Sequence, residues 1–280
     1  VRFLLANLEG FEPVRDRVEA AEMIALDQWA VGRANGLQRE VVAAYEDFNF
    51  HLIYQKVLNF CVADLGGFYL DVIKDRQYTT PADSLARRSC QTAMFHIVEA
   101  MVRWMAPVLS FTAEEAWGFM PGERAESVFM ATWYDGLFDP VDGVLDPTGW
   151  SRVLLVKTAV AKQLEGMRKD GAIGSSLDAE VALYADAGLL EVLDRLEGEL
   201  RFVLITSYAR VHPVEERPGD AVDAGLPEAE LWIRVTPSAH GKCIRCWHHR
   251  EDVGASPEHP EICGRCVENV AGDGETRRFA

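Results

Sequence analysis

CIRCWHHREDVGASPEHPEICGRC, from Cys243 to Cys266, holds two Cys-x-x-Cys knuckles separated by sixteen residues. Two residues between cysteines let both sulfurs of a knuckle turn toward one ion at roughly 2.3 Å, and this doubled spacing is that of a four-thiolate zinc site. Cys243, Cys246, Cys263 and Cys266 therefore read as a closed tetrahedral shell holding one structural zinc ion (Zn2+) per chain. Four thiolates leave no open coordination position, so a catalytic metal is not expected, and His248, His249 and His259 are not needed as substitute ligands. Gly264 lies inside the second knuckle, where a tight turn with amide groups aimed at sulfur favours a residue without a β-carbon. The competing reading is a pair of disulfides or four unrelated thiols, but nothing in the sequence looks secretory.

Around this stretch the last forty residues are poor in apolar side chains. A segment that short cannot bury enough surface to fold unaided, so the ion supplies the difference, about 10–16 kcal/mol apparent for structural zinc in finger peptides.

The whole chain has 280 residues, 49% of them hydrophobic, enough for two domains or one domain with appendages. No apolar run approaches the roughly 20 residues of a membrane span, and the first residues lack the build of a signal peptide. Cys61 and Cys90 fall in helical patterns and read as small buried hydrophobes, so a reducing cytoplasm suits all six cysteines. A formal charge of −16 argues in bulk against a phosphate-rich partner. Locally the balance differs: between Phe68 and Trp104 five basic residues stand against four acidic ones.

Upstream of the knuckles, apolar residues recur at helical spacing. The pattern predicts one helix from about Asp16 to Tyr45, interrupted by Gly32 and Gly36 at roughly 1 kcal/mol each. A second is predicted from Phe50 to Ile73, with Gly66 and Gly67 either kinking it or admitting a close neighbour. It ends in KDRQY (Lys74 to Tyr78), and TTP (Thr79 to Pro81) stops it. A third starts near Asp83 as N-cap and runs to Pro107, and Thr112 with Glu115 forms the capping box of a fourth. Short connections make these an up-and-down bundle over residues 1–135, with Ser127 to Trp133 along its side and Asp135 to Gly149 as a linker. Residues 146–238 read as a small αβαβ connector: a helix from Ser151 to Lys169, a strand LDAEVALYA (Leu177 to Ala185), a helix Leu189 to Leu200, a strand RFVLITS (Arg201 to Ser207), a polar loop, and a strand LWIRVTP (Leu231 to Pro237). Residues 239–280 form the zinc-binding tail. The fold class is thus mainly α: a helical bundle, a small α/β module and a four-cysteine zinc-binding tail.

No Gly-rich phosphate loop, nucleophile elbow or HExxH appears, and nothing argues for turnover. Binding is better supported. Trp247 follows the first knuckle, with Arg245 inside it and Lys242 just before. Trp247 either stacks on an unpaired RNA base or covers the zinc cluster as its core. Lys74, Arg76 and Gln77 at one helix end could meet Arg87 and Arg88 at the next helix start as an RNA-binding edge, or the same groups could form an internal salt-bridge network.

Several stretches, in order, resemble the C-terminal portion of bacterial isoleucyl-tRNA synthetases: RFLLANL near the start, FYLDVIKDRQYT (Phe68 to Thr79), ARRSCQTA (Ala86 to Ala93), VRWMAPVLSFTAEEAW (Val102 to Trp117), ELRFVLITS (Glu199 to Ser207) and CIRCWHHREDVG through ICGRCVENVAGDGETRRFA. The resemblance spans nearly the whole chain. It implies an anticodon-binding bundle of the class I type and a zinc-bearing C-terminus, which together hold the anticodon stem and loop of tRNA(Ile), and a parent enzyme that joins isoleucine to that tRNA using ATP. The HIGH and KMSKS signatures of the family are absent, so no catalytic residue carries over and the chain alone is expected to be inactive. The four thiolates match the family's terminal zinc ligands, and the resemblance favours Trp247 and the KDRQY segment as RNA contacts. Other implied partners are the catalytic and editing domains; no membrane is expected, and the chain is expected to be monomeric. The alternative function is a protein-interaction module that docks on a catalytic chain, its zinc purely structural.

Overall fold

Residues 1–141 and 145–280 are described by the computed structural model, and they fall into two units, Val1–Gly143 and Val144–Ala280. The first unit is helical. It comprises α1 (Arg2–Ala6), a single turn at Pro13–Asp16, α2 (Ala25–Glu46), α3 (Phe50–Asn59), α4 (Lys74–Thr79), α5 (Leu85–Met105) and α6 (Ser110–Gly118). α5 is the axis of this bundle: Cys90, Ala93, Met94, Ile97, Val98, Ala100, Met101, Val102 and Trp104 are all buried. A helix apolar on nearly every side must lie inside a ring of others. Ser84, not Asp83, is its N-cap, accepting the Arg87 amide at 3.3 Å.

The predicted helix from Asp16 to Tyr45 begins only at Ala25. Side chains of α5 intercept the backbone upstream: Thr92 Oγ1 accepts the Val18 amide at 3.0 Å and Ser89 Oγ accepts the Ile24 amide at 2.9 Å. These contacts, 74 and 65 residues apart in sequence, keep that stretch out of the α-helix, leaving a single 3-10 turn at Ala20–Glu22. The helix predicted over Phe50 to Ile73 is α3 followed by a wide π-helical segment, Phe60–Tyr69. A β-carbon at Gly66 or Gly67 would sit 3.1 Å from the carbonyl oxygen of Cys61 or Val62, five residues back, so the glycines accommodate the helix's own widened turn. KDRQYT does not end a helix but forms α4. The stop comes at Thr80, whose backbone is extended and whose Oγ1 donates to the Arg76 carbonyl at 2.6 Å. The capping box at Thr112 does not form, because α6 starts at Ser110 and places Thr112 within its first turn.

Of the predicted linker, residues 142–144 lie outside the described residues. Residues 135–141 run along α2: Asp139 accepts from Asn35 at 3.1 Å, and the Val141 amide donates to Gln28 Oε1 at 3.0 Å. Gly32 now has a reason, since a β-carbon there would lie 2.6 Å from Pro140 Cδ. Beside this strap Val128 is buried and Trp133 packs 5.7 Å from the Tyr45 ring.

A buried ion pair lies in the bundle core. Asp27 accepts two hydrogen bonds from Arg76, at 2.6 and 2.7 Å, one from the Tyr69 hydroxyl at 2.7 Å and one from Ser89. Arg76, 1% exposed, also donates to the Ala86 carbonyl at 2.9 Å. Burial alone would pull its guanidinium down, but the Asp27 carboxylate more than offsets that and holds it above its ordinary value.

The second unit opens with α7 (Pro147–Lys169), one turn earlier than expected. Asp146 caps it, accepting the Gly149 amide at 2.6 Å, and Pro147 takes the first turn where its missing N–H costs nothing. Then follow β1 (Ala179–Ala185), α8 (Ala187–Asp194), α9 (Leu200–Leu204), β2 (Tyr208–Pro213), β3 (Val222–Asp223) and β4 (Leu231–Pro237). The sheet order is β2-β1-β4-β3, with β1 parallel to β2 and antiparallel to β4. Ala179, Val181, Leu183 and Ala185 of β1 and Leu231 and Ile233 of β4 point into the core, the alternation that identified both strands. RFVLITS is not a strand. A parallel β1–β2 pair needs a crossover of a dozen or more residues, and Leu200, Phe202, Val203 and Leu204 supply its last buried helical turn, closed by Ile205 in the left-handed conformation at φ 57°. The chain ends in the ribbon β5 (Gly241–Lys242) and β6 (His249–Arg250) and in α10 (Gly264–Ala271).

Candidate metal centre

The first knuckle spans the turn between β5 and β6, and the second opens α10, with Cys263 as its N-cap. The four sulfurs of Cys243, Cys246, Cys263 and Cys266 are buried and lie within 4.8 Å of one another. Cys246 and Cys263 Sγ are 3.7 Å apart. A tetrahedron with metal–sulfur bonds of ~2.3 Å has edges of ~3.8 Å, so the cage fits zinc, whereas a disulfide requires ~2.05 Å. Hydrogen bonds from Cys263 and Cys266 hold Cys246 well below the ordinary thiol range, while sharing with Cys246 pushes Cys263 up to about 11 and Cys266 higher still. Thiols this close resist collective ionisation, and a dication resolves the conflict by stabilising all four thiolates.

Backbone geometry supports the cage. Within the first knuckle the Trp247 amide donates to the Cys243 carbonyl and the Cys243 amide to the His248 carbonyl, both at 2.9 Å. The turn puts Trp247 in the left-handed region at φ 65°, uncommon for an aromatic residue. The Cys263 amide points at the Cys243 sulfur at 3.4 Å. The Gly264 amide goes elsewhere, to Asp252 Oδ2 at 3.0 Å, and a β-carbon at Gly264 would lie 2.8 Å from that oxygen. The glycine is thus needed for carboxylate approach, not for an N–H···S contact.

Sequence reading missed what seats this cage on the unit. His248 is buried and meets the Phe202 ring edge-on at 5.6 Å. The guanidinium of Arg277 lies 3.3 Å from the centroid of the same ring and that of Arg265 5.1 Å. Glu199 accepts the backbone amides of Arg278, Phe279 and Ala280 at 2.8–2.9 Å. His249 contacts Asp178 at 3.2 Å, and its amide donates to Ser207 Oγ at 2.6 Å. Ser207 and Phe202 come from the stretch expected to be a strand; only its helical conformation and the turn after it place both side chains under the knuckles.

The RNA-binding candidates meet different fates. Trp247 is 62% exposed, so it is not the core of the zinc cluster. Arg245 beside it is half-buried, and Lys242 is exposed but pairs with Asp178 at 3.2 Å. Arg76 and Gln77 leave the set. Arg76 is spent on Asp27, and Gln77 is buried, donating to the Asn7 carbonyl at 3.2 Å and accepting from Cys90. Lys74 remains exposed, in a weak pair with Asp71 at 2.9 Å. Arg88 is half-buried and donates to Gln91 at 2.8 Å, with Asp16 3.4 Å away; Arg87 is half-buried.

Residues 27–183 match the family model described as the anticodon-binding domain of tRNA ligase. The chain belongs to this family. Its tail, residues 241–269, matches the zinc finger found in FPG and IleRS, which encloses all four cysteines. Over the full 280-residue chain, this anticodon-binding family member is 60% identical to an isoleucine–tRNA ligase of Nitrosococcus oceani, 61% to one of Thioalkalivibrio sulfidiphilus and 58% to one of Pseudomonas aeruginosa. It spans 30% of the length of each. No helix among the described residues is long and apolar enough to cross a membrane.

Proposed function

We propose that this chain grips the anticodon stem and loop of tRNA(Ile) as part of an isoleucine–tRNA ligase. The observation that carries the reading is the family match over residues 27–183, joined to about 60% identity with isoleucine–tRNA ligases across the whole chain. In that parent, catalysis of isoleucyl-tRNA formation from ATP, isoleucine and tRNA belongs to domains outside this chain, whose own sequence lacks the HIGH and KMSKS signatures. Within the chain, residues 1–135 act as the anticodon bundle, 146–238 as a connector and 239–280 as a zinc-held finger, in a monomer working in the reducing cytoplasm. The finger presents Trp247 and Arg245 on a turn fixed by metal, and the bundle presents Lys74, Arg87 and Arg88. An acidic body confines phosphate contact to these local groups.

Titration with tRNA(Ile) transcripts of altered anticodon tests this, because only anticodon recognition makes affinity depend on those three bases. Equal affinity for all anticodons sinks the reading. Trp247→Ala is expected to weaken binding by ~1–3 kcal/mol, the worth of one base stack, with little change in salt dependence. Zinc content is measured alongside; a variant that binds like the parent chain shows that Trp247 touches no base.

A further inference from the structure

The sheet of the second unit has two different faces. β1 buries Ala179, Val181 and Leu183 on one and leaves Glu180 and Ala182 half-buried on the other, and parallel pairing sets Tyr208 of β2 beside Glu180 and Arg210 beside Ala182. The zinc finger reaches this outer face at one corner. Arg250, the last residue of β6, lays its guanidinium 4.3 Å from the centroid of the Tyr208 ring; that of Arg210 lies 4.6 Å from the same centroid, and the His240 ring 5.6 Å away. Lys242 comes from β5, the strand paired with β6.

Charge at this corner points outward. Arg210 pairs with Glu180 at 2.8 Å and Lys242 with Asp178 at 3.2 Å, yet the two cations keep 49% and 48% of their side-chain surface exposed while the two carboxylates keep 15% and 22%. Asp178 is further occupied by the amides of Gly174 and Ser175, at 3.0 and 2.7 Å. The Arg250 guanidinium pairs with no carboxylate among the described residues, and its hydrogen bond to the Ser207 carbonyl is 3.5 Å long. A guanidinium stacked on a ring still offers the donors at its edge, the fork that meets a phosphate with two prongs. Trp247, 62% exposed, precedes Arg250 by three residues, so their Cα atoms lie at most roughly 11 Å apart. An exposed aromatic beside a set of cations suits a single RNA strand, one base stacking while the backbone is held alongside. We propose that Arg250 and Arg210, mounted on Tyr208, grip together with Lys242 the phosphodiester backbone of the RNA strand whose base stacks on Trp247. The inference rests on the anticodon-loop reading and adds to it a phosphate-holding corner outside the knuckle.

The test is the affinity of the zinc-loaded full-length ligase for tRNA(Ile) transcripts across a salt series, with Arg250→Gln, Arg210→Gln and the double variant. Arg195→Gln, an exposed arginine just past α8, is the control. A neutralised phosphate on a single strand contributes roughly 0.7 to the slope of log affinity against log salt, so each single variant is expected to flatten the slope by about 0.7 and to bind about fivefold more weakly at ~0.1 M salt, and the double variant by about 1.4 and about 25-fold. Phosphate contacts carry no base information, so the ratio of affinities for native and altered anticodons is expected to stay the same, as is zinc content. Arg250→Lys, which keeps the charge, is expected to restore the slope. An unchanged slope in the double variant, with anticodon dependence intact in the unsubstituted protein, overturns the proposal and leaves the anticodon reading standing. So does loss of zinc in Arg250→Gln while Arg210→Gln binds like the unsubstituted protein, since the arginines then only seat the finger on Tyr208. Equal affinity of the unsubstituted protein for every anticodon sinks the reading beneath the proposal and the proposal with it, an outcome seen before any variant is made.

Discussion

Replacing Cys263 with serine empties the metal site and unfolds the finger while the helical bundle keeps its far-ultraviolet signal. A serine hydroxyl is not ionised near neutral pH and cannot stand in for the thiolate, so the shell loses a ligand and the remaining three hold the ion poorly. The four sulfurs are themselves the centre of this region, with the half-buried Val253 and Ile262 packed against them. Apparent zinc-binding energies of about 10–16 kcal/mol exceed anything such a small apolar cluster supplies. Elemental analysis should fall from one zinc per chain to none, and limited proteolysis should cut between Ile244 and Ile262. A Cys263→Ser protein that retains its full metal complement rules out the four-thiolate assignment.

Arg76→Ala is expected to lower the stability of the first unit by about 3–5 kcal/mol, because it leaves the Asp27 carboxylate buried without its counter-charge. That is a large fraction of the roughly 5–15 kcal/mol by which domains are stable. Urea unfolding followed through the buried Trp29 and Trp104 reads it. A loss below about 1 kcal/mol would mean that the pair contributes no more than a surface ion pair. Asp27→Leu combined with Arg76→Met should recover part of the loss, since an apolar pair removes the stranded charge together with its partner. Where Arg76→Ala remains folded, the salt dependence of tRNA binding is expected to be unchanged, the reverse of what an RNA-facing arginine would give.

What could be read from sequence and what could not divides by distance along the chain. The knuckles are legible because two residues between cysteines dictate local geometry, and β1 and β4 because inward side chains alternate at Ala179, Val181 and Leu183 and at Leu231 and Ile233. Arg76 looked like part of a basic edge because its partner, Asp27, lies 49 residues upstream. The late start of α2 depends likewise on Ser89 and Thr92 of a different helix. RFVLITS misled for another reason: a short, fully apolar run has no periodicity that separates a buried turn of helix from a strand, and only the parallel pairing of β1 with β2 decides between them.

The ring of Phe202, shared by His248 next to the cage and by Arg277 from the last turn of chain, ties metal affinity to tail order by thermodynamic linkage. Full undocking of the tail must raise the zinc dissociation constant by the same factor by which removing zinc favours undocking, and a substitution that undocks it partly raises the constant by less. Metal occupancy therefore serves as a gauge of whether residues far from any thiol are in place, and a truncation or modification near Arg277 registers first as a change in zinc affinity.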